Sequence, residues 1–207
     1  MVIKTAEFVK SVSNFNDIYK SDYKEVAFVG RSNVGKSSLI NFMTNNGKLA
    51  KTSSLPGRTR LINYFLINKE FLLVDLPGYG YAKASKEAQE SWGHLLENYL
   101  KKSTNLKAVY MLLDIRHLPN DNDKQMIKFL YYYSIPTVFV LTKADKLSKA
   151  ERARSVSRIA SELGLAVSNF IITSSDGKLG RDNLLDSLDA RLNAENNVED
   201  EGEEELN

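Results

Sequence analysis

This sequence predicts an α/β fold, a mostly parallel six-stranded sheet with one antiparallel strand and helices on both faces. Three observations predict it. Apolar runs alternate with helix-period segments from residue 25 to residue 194. One run, Val26-Ala27-Phe28-Val29, leads at once into a glycine loop and then a second apolar segment, Leu39-Ile40-Asn41-Phe42-Met43. Another, Ala108 to Leu113, is apolar without alternation, as in a parallel strand buried on both faces.

The bulk numbers fit one soluble domain. The chain has 207 residues, 43% hydrophobic and 26% charged, enough for a substantial core. It has no cysteine, which excludes disulfides and thiolate metal sites. No signal-like apolar core and no membrane-length run occur, so a cytoplasmic protein without a membrane partner is expected. A monomer is expected, because no spare apolar stripe is left over.

Charge is unevenly placed. Residues 195–207 hold seven acids and no Lys or Arg, so a chain of net +2 leaves +9 on residues 1–194. A basic body suits a polyanionic partner such as RNA, and equally suits a domain kept soluble by lysines. The 195–207 segment is expected to be a disordered, solvated tail.

In chain order, residues 1–24 form an extension packed on the domain, within which Ala6-Glu7-Phe8-Val9 could add an edge strand. The domain proper spans 25–194. A strand at Glu25–Val29 precedes Gly30-Arg31-Ser32-Asn33-Val34-Gly35-Lys36-Ser37, and a helix runs from Lys36 to Thr44. Strand, glycine loop and helix is the context of a phosphate-binding P-loop. Backbone N–H groups and the helix N-terminus suit phosphate oxygens. Lys36 would reach the β- and γ-phosphates, and the Ser37 hydroxyl would ligate Mg²⁺.

Residues 45–60 form a long polar loop, uncommon without a task. Leu61–Ile67 and Glu70–Asp75 then read as an antiparallel hairpin around Asn68-Lys69. The second strand ends in Asp75-Leu76-Pro77-Gly78. Downstream of a P-loop, this places the Asp75 carboxylate beside the Mg²⁺ shell and a Gly78 N–H near the γ-phosphate. An aromatic loop, Tyr79–Lys83, leads to a helix over Lys86–Lys101 that carries Trp92 on its core face. His94 and His117 receive no role.

A helix over Asp121–Tyr133 and a strand over Thr137–Leu141 follow. That strand runs into Thr142-Lys143-Ala144-Asp145. A carboxylate only accepts hydrogen bonds, and guanine offers two donors on one edge where adenine offers a bare acceptor. Asp145 therefore suits guanine and penalises adenine. Lys143 would lie along the base and brace the P-loop. Ser148 and Glu151 form a capping box opening a helix to Leu163. After a strand at Ser168–Ile172, Thr173-Ser174-Ser175 could present a backbone N–H to guanine O6. A last helix, Asp182–Ala194, lines up Leu184, Leu185, Leu188 and Leu192.

Taken together, Gly30–Ser37, Thr59, Asp75–Gly78, Thr142–Asp145 and Thr173–Ser175 look like the five motifs of a P-loop GTPase (G) domain. The runs Phe28–Asn41, Pro56–Arg60 and Asp75–Ala82 resemble the EngB (YihA/YsxC) family of the TrmE-Era-EngA-EngB-type bacterial GTPases. The resemblance covers about residues 5–194. It implies a GTP- and GDP-binding GTPase needed for growth, cell division and septation and linked to large ribosomal subunit assembly. It implies Mg²⁺ held through Ser37 and Thr59, with Gly57, Arg58, Thr59, Arg60 and Leu61 as the first switch. The chain has other switch candidates, including Thr52, and the family pattern selects Thr59.

Many GTPases place Gln after Asp-x-x-Gly to orient water. Tyr79 stands here instead, so slow intrinsic turnover is expected, with Lys36, Thr59 and Gly78 carrying the chemistry. Asn33 matches the asparagine that helps ligate K⁺ in potassium-activated relatives, and equally suits a loop-stabilising role. Arg58 and Arg60 could act in cis or contact RNA. A surface of Arg58, Arg60, Tyr79, Tyr81 and Lys83 is expected to meet the ribosome in the GTP state. The expected partner is the large ribosomal subunit or its precursors (rRNA and ribosomal proteins), with no DNA. A protein-interaction switch acting on division machinery without RNA remains open, and a P-loop kinase is disfavoured by Thr142–Asp145.

Overall fold

The computed structural model describes residues 1–50, 61–80 and 86–194. Seven strands form one sheet: β1 (Ala6–Val12), β2 (Lys24–Gly30), β3 (Ile62–Ile67), β4 (Phe71–Asp75), β5 (Leu106–Asp114), β6 (Thr137–Thr142) and β7 (Phe170–Ile172). Five helices join them: α1 (Lys36–Thr44), α2 (Lys86–Lys102), α3 (Asp121–Tyr132), α4 (Lys149–Leu163) and α5 (Arg181–Asn193). The strand order is β1-β3-β4-β2-β5-β6-β7. Only β3 runs against the rest, pairing antiparallel with β1 and β4, while β4, β2, β5, β6 and β7 pair in parallel.

The sheet thus has one strand more than the expected six. The extra strand is the N-terminal edge, and a distant amide sets it in place. Asn68 and Lys69 both adopt positive φ in the β3–β4 turn, as a two-residue hairpin loop requires. There the Asn68 carboxamide accepts from Lys4 and Thr5 N–H at 2.7 and 3.1 Å and donates to the Val2 carbonyl at 2.8 Å. β7 is shorter than expected, because Val167–Asn169 forms a single 3₁₀ turn before it.

Alternation on the central strands sorts the core into two layers. Val26 and Phe28 of β2 face α1 and α5, where Leu39, Ile40, Met43, Leu184, Leu185, Leu188 and Leu192 are buried. Ala27 and Val29 face the other layer, with Leu95, Leu96 and Tyr99 of α2, Ile127 and Leu130 of α3, and Val156 and Ile159 of α4. The expected leucine stripe of α5 is therefore its core face. The Trp92 side chain lies outside the described residues. Capping boxes start α3 (Asn120 with Asp123) and α4 (Ser148 with Glu151). Among the described residues, no helix is long and apolar enough to cross a membrane.

Parallel order brings the carboxyl ends of β2, β4, β5, β6 and β7 to one edge. The loops after those strands gather there, as ligand-binding loops do in open α/β sheets.

Candidate functional site

The site starts at the end of β2. Asn33 and Gly35 take positive φ, 64° and 103°, and turn the chain into α1. No side chain caps the α1 N-terminus, so its first-turn N–H groups remain for an outside acceptor. Two other loop donors are engaged within the protein: Ser32 N–H with the Tyr79 carbonyl at 3.0 Å, and Val34 N–H with the Arg31 carbonyl at 3.2 Å.

The Asp75–Gly78 loop lies against this turn. Tyr79 N–H reaches the Gly30 carbonyl at 3.4 Å, and a Cβ on Gly78 would fall 3.3 Å from the Ser32 backbone. Only a residue without a side chain allows that approach without displacement. Lys36 and Asp75, each less than a tenth exposed, form an ion pair. A buried charge needs such a partner. The pair places a cation and a carboxylate side by side where the loop enters α1, and Ser37 is the next residue of that first turn. Leu76 and Pro77 are buried, and Leu76 N–H bonds the Phe28 carbonyl at 3.1 Å.

The third component comes from β6. Thr142 Oγ1 donates to the Val34 carbonyl at 2.6 Å, and Lys143 Nζ donates to the Asn33 carbonyl at 2.6 Å. Lys143 thus ties the end of β6 to the Gly30–Ser37 loop. Ala144 is buried and bonds through its N–H to the Thr173 carbonyl at 3.1 Å. Thr173 is buried, and Ser174 Oγ donates to Asp145 Oδ1 at 2.6 Å. The Lys146 ammonium and the Ser174 hydroxyl hold the Asp145 carboxyl below the usual carboxylate range. Asp145 therefore stays an anion at neutral pH, able to accept but not donate. Ser175 lies half-buried beyond Ser174.

The structure thus brings together Gly30–Ser37, Asp75–Gly78, Thr142–Asp145 and Thr173–Ser175. Gly57, Arg58, Thr59, Arg60 and Thr52 lie outside the described residues, as do Tyr81 and Lys83, and Leu61 is the first described residue before β3.

Tyr79 departs from expectation. It is not a free surface aromatic: its hydroxyl donates to Asp123 Oδ1 at 2.8 Å, and burial pushes the phenol far above its ordinary value. Asp123 is itself buried and closes the α3 capping box through its other oxygen. Tyr79 is therefore turned inward.

Three anchors carried no signal in the expected motifs. Asp114, closing β5, bonds Arg116 Nε at 2.9 Å and lies 3.0 Å from Lys143 Nζ. Burial raises its carboxyl, but the Arg116 and Lys143 cations outweigh burial and hold it well below the usual range. Asn41 bonds the Ala50 N–H at 2.7 Å and the Ala50 carbonyl at 2.9 Å, fixing the start of the loop after α1. Asp123 is the third. An Asp closing an apolar strand with Arg two residues on, and the Asn120-x-x-Asp123 spacing, are the signals that could have found two of them.

Chemically, the arrangement offers backbone donors and a lysine to an oxyanion, and a distant carboxylate to a hydrogen-bond donor pair. Among the described residues no group of three or more His, Cys, Asp or Glu could hold a metal ion. Mg²⁺ beside nucleotides takes most of its oxygens from phosphates and water, so such a cluster is not needed for it. The Ser37 hydroxyl and Asp75 carboxylate are oxygen donors of the kind Mg²⁺ takes.

Comparison with known proteins agrees with this geometry. Residues 25–143 match the family model described as 50S ribosome-binding GTPase. The chain is 51% identical over 182 residues to the probable GTP-binding protein EngB of Pelobacter propionicus, covering 88% of this chain and 91% of that one. It is 48% identical over 193 residues to the EngB of Desulforapulum autotrophicum, covering 93% and 100%. A crystal structure of a probable GTP-binding protein engB superposes with a TM-score of 0.68 at 24% identity, covering 81% of this chain and 98% of that one, a likeness of fold.

Proposed function

We propose a function from one premise, that this chain belongs to the EngB family of GTP-binding proteins, within the 50S ribosome-binding GTPases. On this reading it binds GTP and GDP with Mg²⁺, hydrolyses GTP slowly and acts as a switch in large ribosomal subunit assembly. The family's link to division and septation follows where failed assembly disturbs growth. The observation that carries the reading is the double tie of Thr142 and Lys143 to the Val34 and Asn33 carbonyls. It joins a base-reading carboxylate to a phosphate loop in one site.

Each residue then has a task. N–H groups of the Gly30–Ser37 loop and the α1 N-terminus receive the phosphates. Lys36 exchanges its Asp75 partner for phosphate oxygens, so the cation remains paired. Ser37, Asp75 and Thr59 are the protein's contribution to Mg²⁺, which when bound neutralises charge on the β- and γ-phosphates. Gly78 N–H and Thr59 sense the γ-phosphate, with Gly57, Arg58, Arg60 and Leu61 moving as the first switch. Lys143, Asp145 and the Thr173–Ser175 loop select guanine. Tyr79 is held by Asp123 and leaves no side chain at the usual water-orienting position, which supports slow turnover. Asn33, exposed beside the phosphate loop, is the proposed contributor to a K⁺ site.

Calorimetric titration with GDP and ADP, together with phosphate release from GTP and ATP, tests this. Guanine selectivity with slow release supports it. Equal affinity for ADP would remove it.

A further inference from the structure

The nucleotide site leaves one strongly basic feature unused. A groove of about 960 Å³ opens between the start of α4, the start of α5 and the end of α1, beside the Thr173–Ser175 loop. Its lining includes four cations, Lys149, Arg152, Lys178 and Arg181, and one acid, Asp182. Among the described residues, none of the four cations forms an ion pair with a carboxylate.

Two of the groove cations are aimed by neutral partners, which fix direction without cancelling charge. Arg152 Nε donates to the Leu147 carbonyl at 3.1 Å. Arg181 donates through Nε and Nη2 to the Met43 carbonyl at 3.1 and 2.8 Å. Lys178 stands at φ +50°, uncommon for a non-glycine residue, held by reciprocal backbone bonds between Ser174 and Leu179 at 3.0 and 2.9 Å. The half-buried Phe42 ring lies in the same lining.

We infer that this groove docks RNA, taking phosphodiester oxygens on Lys149, Arg152, Lys178 and Arg181 and an unstacked base against Phe42. Oriented, uncompensated cations beside an aromatic face are the chemistry of single-stranded or looped RNA recognition. A regular DNA duplex keeps its base faces stacked and presents none to Phe42. The inference rests on the ribosome-binding reading and gives it a contact surface apart from the switch loops. None of the four cations belongs to the Gly30–Ser37 or Asp75–Gly78 loops, so RNA binds in both GDP and GTP states.

The test is fluorescence anisotropy with a labelled, unstructured RNA of about 20 nucleotides. It uses the full GDP-loaded chain over a salt series, with a DNA duplex of the same sequence alongside. The variant is K149E/K178N, because a carboxylate suits the first turn of α4 and asparagine tolerates positive φ. Its GDP affinity, measured in parallel, stays unchanged and reports an intact fold. The inference predicts tighter binding of RNA than of DNA. It also predicts at least a tenfold loss in the variant, with the log–log salt slope shallower by about 1.4 for two lost phosphate contacts.

Equal RNA binding by wild type and variant would overturn the inference, as would equal affinity for DNA. RNA binding seen only after the acids of residues 195–207 are changed to Gln would also overturn it and assign the groove to the chain's own tail. Wild-type chain that sediments with large subunits but binds no RNA would overturn the groove alone. Wild-type chain that binds neither would remove the ribosomal reading as well.

Discussion

The ammonium of Lys143 donates to the carbonyl of Asn33 at 2.6 Å, across 110 residues of sequence. The same nitrogen lies 3.0 Å from Asp114. One lysine therefore joins the Gly30–Ser37 loop and the β5 carboxylate to the end of β6. Lys143→Ala removes both links. A charged hydrogen bond contributes about 1.5–3 kcal/mol, so the Kd for GDP rises roughly 10- to 100-fold. Titration with a fluorescent GDP analogue measures it, and an unchanged Kd would separate the brace from binding.

Lys36 and Asp75 are a buried pair, and removing one member strands the other. Lys36→Ala without nucleotide should cost about 3–5 kcal/mol, while the double change with Asp75→Asn recovers much of it. Urea unfolding of the four chains gives the coupling. Additive losses would mean the two charges do not act as a pair.

Tyr79 donates to the buried carboxylate of Asp123 at 2.8 Å. Tyr79→Phe leaves that oxygen one donor short, at about 1–3 kcal/mol. Each kcal/mol lowers Tm by roughly 2–4 °C in a domain of this size. Basal GTP turnover should change little, because the phenol is committed to Asp123 at the start of α3. A large fall in turnover with Tm unchanged would give Tyr79 a chemical role instead.

Glu25 is buried and accepts from Tyr99 and Ser103 hydroxyls, both at 2.7 Å. Burial raises its pKa, and those two bonds only partly oppose the rise. A carboxyl raised in the folded state contributes stability below its unfolded pKa and loses it as pH rises through the folded value. Glu25→Gln has no such loss. Its Tm relative to wild type should therefore climb between pH 4 and pH 8, starting near the ordinary glutamate pKa of about 4.3. A pH-independent difference would mean Glu25 titrates normally.

Asn33 supplies the remaining prediction. GTP turnover should be faster in KCl than in NaCl at equal ionic strength, and Asn33→Ala should abolish the difference. Equal rates in the two salts would leave Asn33 a purely structural residue of the loop.

Much of the fold was legible because its signals are local. The Gly30–Ser37 loop sits between two apolar runs, and the Ser148–Glu151 box marks the start of α4 within four residues. The Thr142–Asp145 segment was legible as a polar run closing an apolar strand. What escaped are pairings between distant side chains. The edge strand was legible at Ala6–Val9, but not the Asn68 carboxamide that ties residues 2–5 to the β3–β4 turn beside it. Tyr79 followed by Gly80 read as an open loop, yet Asp123, 44 residues on, turns it inward. Asp114 read as the end of a strand and acts as the counter-charge of Lys143 and Arg116.

The central claim is a guanine-nucleotide switch acting on the large ribosomal subunit. The most direct measurement is co-sedimentation with purified large subunits, comparing GDP with a non-hydrolysable GTP analogue at two salt concentrations. The account predicts stronger binding with the analogue, weakened by salt. Binding that is equal in both nucleotide states, or absent from both, would contradict it.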